Sequence, residues 1–395
     1  MTDFRSSMLE IIRGDIPDGL LFVPRLDIWY NRNKSRGSLP PGYENLSLID
    51  ISSKLGVGYH SVIPDFIRSV PLEDLYHRAL GVYNNPDFPY RVDFSSIDFT
   101  VEKRENELKV TYYTSKGEIT TRINFGPELF DSGSTIPEIL EPAIKSKEDY
   151  YRLTEIFSKI KIYSTPEKYR IYHDRIGEAG IAVAFLSLAC GPMQHIMRDL
   201  RKYDEFCFDI YDNPSELDMC AEPLGAIYEE MINSVSDTNA EVVLFGANYD
   251  ETITYRPFFE KYIAPWLNRA ADKIHSYGMS LLTHTDGENQ GLLGSFKECR
   301  FDIADSICPA PMTKVPFEEY RDFFRDRATI WGGIPSLLLL KSHCSEMEFR
   351  DFIHKIIEKG KPYDRLILGI ADTTPPDAEF NRIKYIVEQC SKINI

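Results

Sequence analysis

His284-Thr285-Asp286 is the tripeptide of this chain with the clearest capacity for chemistry. It closes the apolar run SLLTH (280–284), and side chains two apart on an extended chain point the same way. An imidazole beside a carboxylate can transfer a proton or bind a metal ion. Asp372, at the end of another apolar run, is placed to join them. His284, Asp286 and Asp372 are therefore the candidate metal ligands, with zinc as the metal; the competing reading is a histidine hydrogen-bonded to a loop carboxylate. Asp305, in FDIADSI (301–307), is a fourth candidate catalytic group. Arg25 and Asp27 follow the run LLFVPR. A guanidinium there can grip a substrate carboxylate bidentately, or pair internally with Asp27 or Asp250. Asn248 and Asp250 follow AEVVLFG (240–246) as further substrate-binding candidates. Trp29, Tyr30, Tyr249 and Trp331 can wall a flat ligand or pack in the core. Cys190 also ends an apolar run and reads as a buried, inert thiol.

These groups share a position: each follows a short apolar stretch with strand character. The stretches are LLFVPR, IAVAFLSLA (181–189), AEVVLFG, SLLTH, FDIADSI, ATIWGG (328–333) and RLILGI (365–370), and amphipathic helical patterns separate those from residue 180 onward. One helix is announced by Ser345 and Glu348, a capping box, with the stripe Phe349, Phe352, Ile353, Ile356 and Ile357. Strands alternating with helices predict a parallel sheet. An eighth strand near YHSVI (59–63) would close a (β/α)₈ TIM barrel, whose active site lies at the C-terminal strand ends. A Rossmann sheet is disfavoured because GxGxxG is absent, as is a Walker A sequence. The expected architecture is one barrel domain over 1–395, with an N-terminal extension and an antiparallel β-meander inserted at 95–125, where SIDFTVEKRE, ELKVTYYT and EITTRINF alternate between turns.

Composition narrows the classes. The chain has 395 residues, 43% hydrophobic and 27% charged, which excludes a disordered or fibrous protein. A net charge of -16 argues against nucleic acid as a partner. No segment approaches the ~20 apolar residues of a membrane span, and the opening residues lack the apolar core of a signal peptide. Seven scattered cysteines without a CxxC predict reduced thiols and a cytoplasmic location.

Several blocks together resemble the uroporphyrinogen decarboxylase superfamily: ACGPMQHIMRDL, KYDEFCFDIYDNPSELDMC, FFEKYIAPWLNRAADKIHSYGMSLLTHTDGE, ATIWGGIPS and LGIADTTPPDAEFNRI. The resemblance implies a (β/α)₈ barrel and one of two activities. The decarboxylase branch carries an RQAGR-type loop and an FDSW-like strand end; here these positions read PRLDIWYNRNK and FGANYDE. The corrinoid-dependent methyltransferase branch carries zinc on an HxC pair and a late cysteine; here the pair is His284-Thr285-Asp286, and the late position falls at Ala371-Asp372. The histidine matches and both cysteines are replaced. The resemblance thus implies a methyltransferase that takes a methyl group from a small donor, such as a methoxylated aromatic, in an O-demethylase-type system of anaerobic metabolism. Its partner would be a corrinoid-binding protein that receives the methyl on Co(I). His284, Asp286, Asp305 and Asp372 would be catalytic, and Arg25, Asp27, Trp29, Tyr30, Asn248, Asp250 and Trp331 would bind substrate. A homo-oligomer is compatible with this reading. The alternatives are a uroporphyrinogen decarboxylase-like carboxy-lyase and a non-catalytic binding protein on the same fold.

Overall fold

The computed structural model describes residues 3–62, 76–126 and 137–393. In chain order the strands are β1 (Leu21–Phe22), β2 (Tyr90–Asp93), β3 (Asp98–Arg104), β4 (Glu107–Thr114), β5 (Gly117–Asn124), β6 (Glu138–Glu141), β7 (Lys161–Ser164), β8 (Ala184–Ser187), β9 (Val242–Ala247), β10 (Ser280–His284), β11 (Ile303–Ile307), β12 (Thr329–Pro335) and β13 (Leu366–Ala371). Seven of them form one parallel sheet in the order β1-β13-β12-β11-β10-β9-β8. Every residue of β8, β9, β11, β12 and β13 is buried, as a parallel sheet covered on both faces requires.

The covering helices bury one stripe each. Helix Pro214–Asn233 turns Leu217, Cys220, Leu224, Ile227, Tyr228, Met231 and Ile232 inward. Helix Glu346–Gly360 opens on the expected capping box, in which the Glu348 carboxylate accepts the Ser345 backbone N–H at 2.8 Å. Such a cap is worth about 0.5–2 kcal/mol. The meander is present as β3-β4-β5, and β6 adds a fourth antiparallel strand that the sequence pattern did not announce. A separate antiparallel pair, β2 with β7, was likewise not expected. All seven cysteines are unpaired. No helix among the described residues is long and apolar enough to cross a membrane.

The expected eighth strand is corrected by the structure. Through residue 62 the segment near YHSVI has no strand assignment, and Ile63 lies outside the described residues. β1 and β8 are the two ends of the sheet and are not paired with each other. The segment nevertheless reaches both ends. Gly58 N–H donates to Phe22 O (3.1 Å), Tyr59 N–H to Ala179 O (2.8 Å), and Val183 N–H to Ser61 O (3.3 Å). Because β1 is only two residues long and the bonds on the other side fall at 179–183, ahead of β8, no regular ladder can form. The tyrosine OH of Tyr172 also donates to Ser61 O, at 2.9 Å.

This seam depends on Gly180, where a Cβ would lie 2.2 Å from the Tyr59 carbonyl oxygen. Gly180→Ala is expected to destabilise the protein by about 1–3 kcal/mol through overpacking. Gly294 sits in a helix with nothing within 4 Å of its Cβ position. Gly294→Ala should be neutral or stabilise by up to ~1 kcal/mol. Denaturant unfolding of both variants checks the contrast.

Candidate active site

The C-terminal strand ends and the residues just past them bring five of the predicted residues into one run of contacts. β10 ends on His284 and β11 carries Asp305 directly beside it in register. β13 ends at Ala371, so Asp372 stands at the same end of the sheet. His284 Nδ1 lies 2.6 Å from Asp305 Oδ2, and His284 Nε2 lies 3.1 Å from Asp372 Oδ1. Arg25, just past β1, donates from Nη1 to Asp372 Oδ1 (2.6 Å) and from Nε to Asp27 Oδ2 (3.0 Å). Asp27 Oδ1 in turn accepts the Ile28 N–H (2.7 Å) and the Thr373 hydroxyl (3.2 Å). The result is a run of alternating charge: Asp27, Arg25, Asp372, His284, Asp305.

Local backbone geometry aims these groups. Asn248 and Ser306 have φ of +60° and +64°, the left-handed region that non-glycine residues seldom occupy. Asn248 N–H donates to His284 O at 2.8 Å, and the Ser306 hydroxyl points to Asp372 Oδ1 at 3.4 Å. Register shifts fall between Leu282 and His284 and between Asp305 and Ile307. Such irregularities re-aim side chains at a strand end.

Burial and charge act in opposite directions here. Burial disfavours a charged His284, but Asp372 and Asp305 outweigh it and push the imidazole up to about 10. Burial also works against an ionised Asp305, yet the His284 and His60 contacts hold it down at about 2. Asp372 is lowered as well: Arg25 and then His284 overcome its desolvation. Asp286 goes the other way, raised by burial and by repulsion from Asp372. It is half-buried and makes no side-chain hydrogen bond or ion pair among the described residues. His284 at neutral pH is therefore an imidazolium clasped by two carboxylates, next to a carboxyl group that is open to a ligand.

The same groups form a donor set. One ligand atom each of His284, Asp286 and Asp372 lies within 4.8 Å of the others. One imidazole nitrogen and two carboxylate oxygens suit zinc, and Asp305 on Nδ1 is the kind of carboxylate that orients a metal-bound histidine. A cation would have to take the place of the Nε2 proton.

Arg25 and Asp27 join the run in a role other than the expected one, and the remaining sequence candidates lie outside it. Arg25 is buried and engaged by Asp27 and Asp372, so the expected grip on a substrate carboxylate gives way to the internal pair with Asp27. Asp27 is buried within that pair. The aromatic wall does not form. Trp29 stacks on Phe380 with ring centroids 5.5 Å apart, and the Tyr30 hydroxyl faces Leu46 O and Lys34. Tyr249 is buried with its hydroxyl 2.7 Å from that of Thr283. Trp331 is buried and donates its indole N–H to Val23 O at 3.1 Å. Asp250 is a strut between loops, accepting the backbone N–H of Thr252 (2.8 Å) and of Glu288 (3.1 Å). Asn248 is exposed beside His284. Cys190 is buried, and burial raises its thiol well above the ordinary value. Two groups at the site escaped the sequence reading. Ser306 is hidden inside the strand pattern, and His60 had only suggested a strand, though a histidine next to apolar residues was a signal for a buried partner.

Residues 124–393 match the family described as uroporphyrinogen decarboxylase (URO-D). The chain belongs to the uroporphyrinogen decarboxylase family. No curated protein matches the chain. The family includes decarboxylases and corrinoid-dependent methyltransferases, and its fold is a TIM barrel, with which the seven-stranded parallel sheet agrees. The matched segment of this uroporphyrinogen decarboxylase family member contains His284, Asp286, Asp305 and Asp372, whereas Arg25, Asp27 and His60 precede it.

The charge arrangement fixes a pH dependence of stability. His284 has a folded value near 10, above its ordinary 6.5, so its contribution is complete below about pH 6.5 and is lost as pH rises toward 10. Asp305 is depressed to about 2, so its contribution is present above the ordinary carboxylate range and is lost as pH falls toward 2. Unfolding free energy of chelator-treated protein should therefore decline between pH 7 and 10, and His284→Gln should flatten that decline. Asp305→Ala, which leaves a buried cation short of a partner, is expected to cost about 3–5 kcal/mol at pH 7. An unchanged alkaline slope in His284→Gln would contradict the protonated imidazole.

Proposed function

We propose that this chain is the methyltransferase component of a corrinoid-dependent O-demethylase-type system. It takes the methyl group of a small donor, a methoxylated aromatic, and passes it to the Co(I) of a corrinoid carried by a partner protein. The observation that carries the reading is His284, held protonated between Asp305 and Asp372 at the strand ends.

The Co(I) corrinoid supplies the nucleophile that accepts the methyl group. The protein's task is the leaving group. When the methyl carbon–oxygen bond breaks, its electron pair goes to the oxygen. A phenolate has a conjugate acid near pKa ~10, by analogy with tyrosine. An imidazolium near 10 is matched to it, and a matched acid gives efficient general acid catalysis. The Nε2 proton, shared with Asp372 in the resting site, passes to the departing oxygen, and a neutral phenol leaves. Asp305 keeps the ring oriented through Nδ1 while the proton departs. Arg25 keeps Asp372 compensated, so the transfer leaves no isolated buried charge. Asp286, open to the ligand, takes a hydroxyl of the donor. Were zinc held by His284, Asp286 and Asp372, it would supply the same assistance as a Lewis acid on that oxygen.

The carboxy-lyase reading is the second. The family match supports it, and an acid at His284 suits protonation of a carbanion left by departing CO2. Against it stands Arg25, whose guanidinium is already engaged by Asp27 and Asp372 and so is not offered to a polycarboxylated substrate.

Incubation with Co(I) cobalamin and a phenolic series of methyl ethers tests the proposal through the spectral change on methylation. His284→Ala should lower kcat by ~10²–10⁴-fold with a far smaller effect on KM. Donors with electron-poor rings should lose less, because their oxygens leave without help. Equal losses for all donors, accompanied by a lower melting temperature, would show His284 to be structural. Elemental analysis of unchelated protein decides the zinc arm: a stoichiometric metal lost in an Asp286→Asn, Asp372→Asn double variant supports coordination, and metal-free active protein leaves proton donation alone.

A further inference from the structure

We propose that His60 is a positioning residue for His284: it holds the far oxygen of Asp305, so that the near oxygen stays on Nδ1 of the catalytic ring. The inference rests on the reading of His284 as proton donor and adds the element that aims it.

Topology makes the contact specific. Asp305 lies on β11, the central strand of the seven. His60 lies on the segment whose backbone bonds reach Phe22 at one end of the sheet and 179–183 at the other. The two residues thus meet across the interior, which the sheet must curl around. His60 Nε2 is 3.6 Å from Asp305 Oδ1, and Oδ2 of the same carboxylate is 2.6 Å from His284 Nδ1. The side chains of all three are at most 7% exposed. The His60 ring stands edge-on to Trp331, with centroids 4.8 Å apart at 64°, and Trp331 is tethered to Val23 O. His60 therefore has a packed seat, with Asp305 as the carboxylate its Nε2 faces among the described residues.

A carboxylate gripped by one oxygen can rotate about its Cβ–Cγ bond and carry the imidazole with it. A second, longer contact on the other oxygen, from His60 at 3.6 Å, restricts that freedom. Because the Nδ1 contact fixes where Nε2–H points, His60 acts on the reacting proton through two intervening groups. Misplacement by about 1 Å can cost ~10²-fold in rate.

The test compares His60→Gln with His60→Phe in the full chain. Glutamine places a donor near the position of Nε2; phenylalanine keeps the contact with Trp331 and removes the donor. In methyl transfer to Co(I) cobalamin, His60→Phe should lower kcat by ~10–100-fold with KM changed less than ~3-fold, and His60→Gln should recover most of the loss. A second readout needs no turnover. The Nδ1 proton of His284, assigned by its absence in His284→Gln, should give a sharp far-downfield proton resonance in wild type and His60→Gln, and a broadened or missing one in His60→Phe. If wild type transfers no methyl group while the resonance follows this pattern, the functional reading fails and the positioning role stands. A resonance unchanged in His60→Phe overturns the proposal. So do equal losses of kcat and melting temperature in both variants.

Discussion

A buried charge in this protein is tolerated only beside its opposite, and the strand ends are arranged around that constraint. Taking an ion out of water costs several kcal/mol even after relaxation, so Arg25, His284, Asp305 and Asp27, all nearly inaccessible, must be compensated together. The compensation is serial. Arg25 bridges Asp27 and Asp372, and His284 bridges Asp372 and Asp305. No single pair is sufficient, since each cation has two carboxylates and Asp372 is shared by both. The shared group is the one nearest the open end, with 35% of its side chain exposed. Opening the run at Asp372 therefore exposes a proton on His284 with the least disturbance to the rest.

That arrangement explains why the strands must be parallel and in this order. Parallel strands deliver their C-terminal ends to one side, and β1, β13, β11 and β10 each place one member of the run there. An antiparallel sheet would send alternate members to opposite ends. The bend at each terminus then sets the final aim, through left-handed Asn248 and Ser306 and the local shifts in register.

The fold was largely legible in the sequence because buried parallel strands and amphipathic helices have distinct periods. SLLTH (280–284) coincides with β10, and RLILGI (365–370) is offset from β13 by one residue. Ser345 and Glu348 marked a helix start because the capping box is a local device. The eighth strand failed for a non-local reason: its partner β1 has only two residues, and strand character in YHSVI cannot reveal that. At the site, His284 with Asp286 was visible as a spacing, and Asp305 and Asp372 as strand ends. Their pairings were not visible, since residues 25, 284, 305 and 372 are joined only by the fold. The aromatic residues misled for a related reason. Trp29 and Tyr30 follow a strand in sequence, but they lie in helix Asp27–Arg36, which turns them toward Phe380 and Leu46.

The family match begins at residue 124, yet the electrostatics of the site does not. His284, Asp305 and Asp372 lie within the matched part; the cation that lowers Asp372 and the imidazole that faces Asp305 lie ahead of it. An isolated His284 between two carboxylates would be a strong base whose proton is hard to release, because each carboxylate would spend its whole charge on the imidazolium. Arg25 draws on Asp372 and His60 on Asp305, and each reduces the charge left to hold the proton. The N-terminal segments thus temper the charge that the matched segment gathers around His284. Two proteins with the same His284, Asp305 and Asp372 and different residues at 25 and 60 would carry the same imidazole between the same carboxylates but hold its proton with different strength.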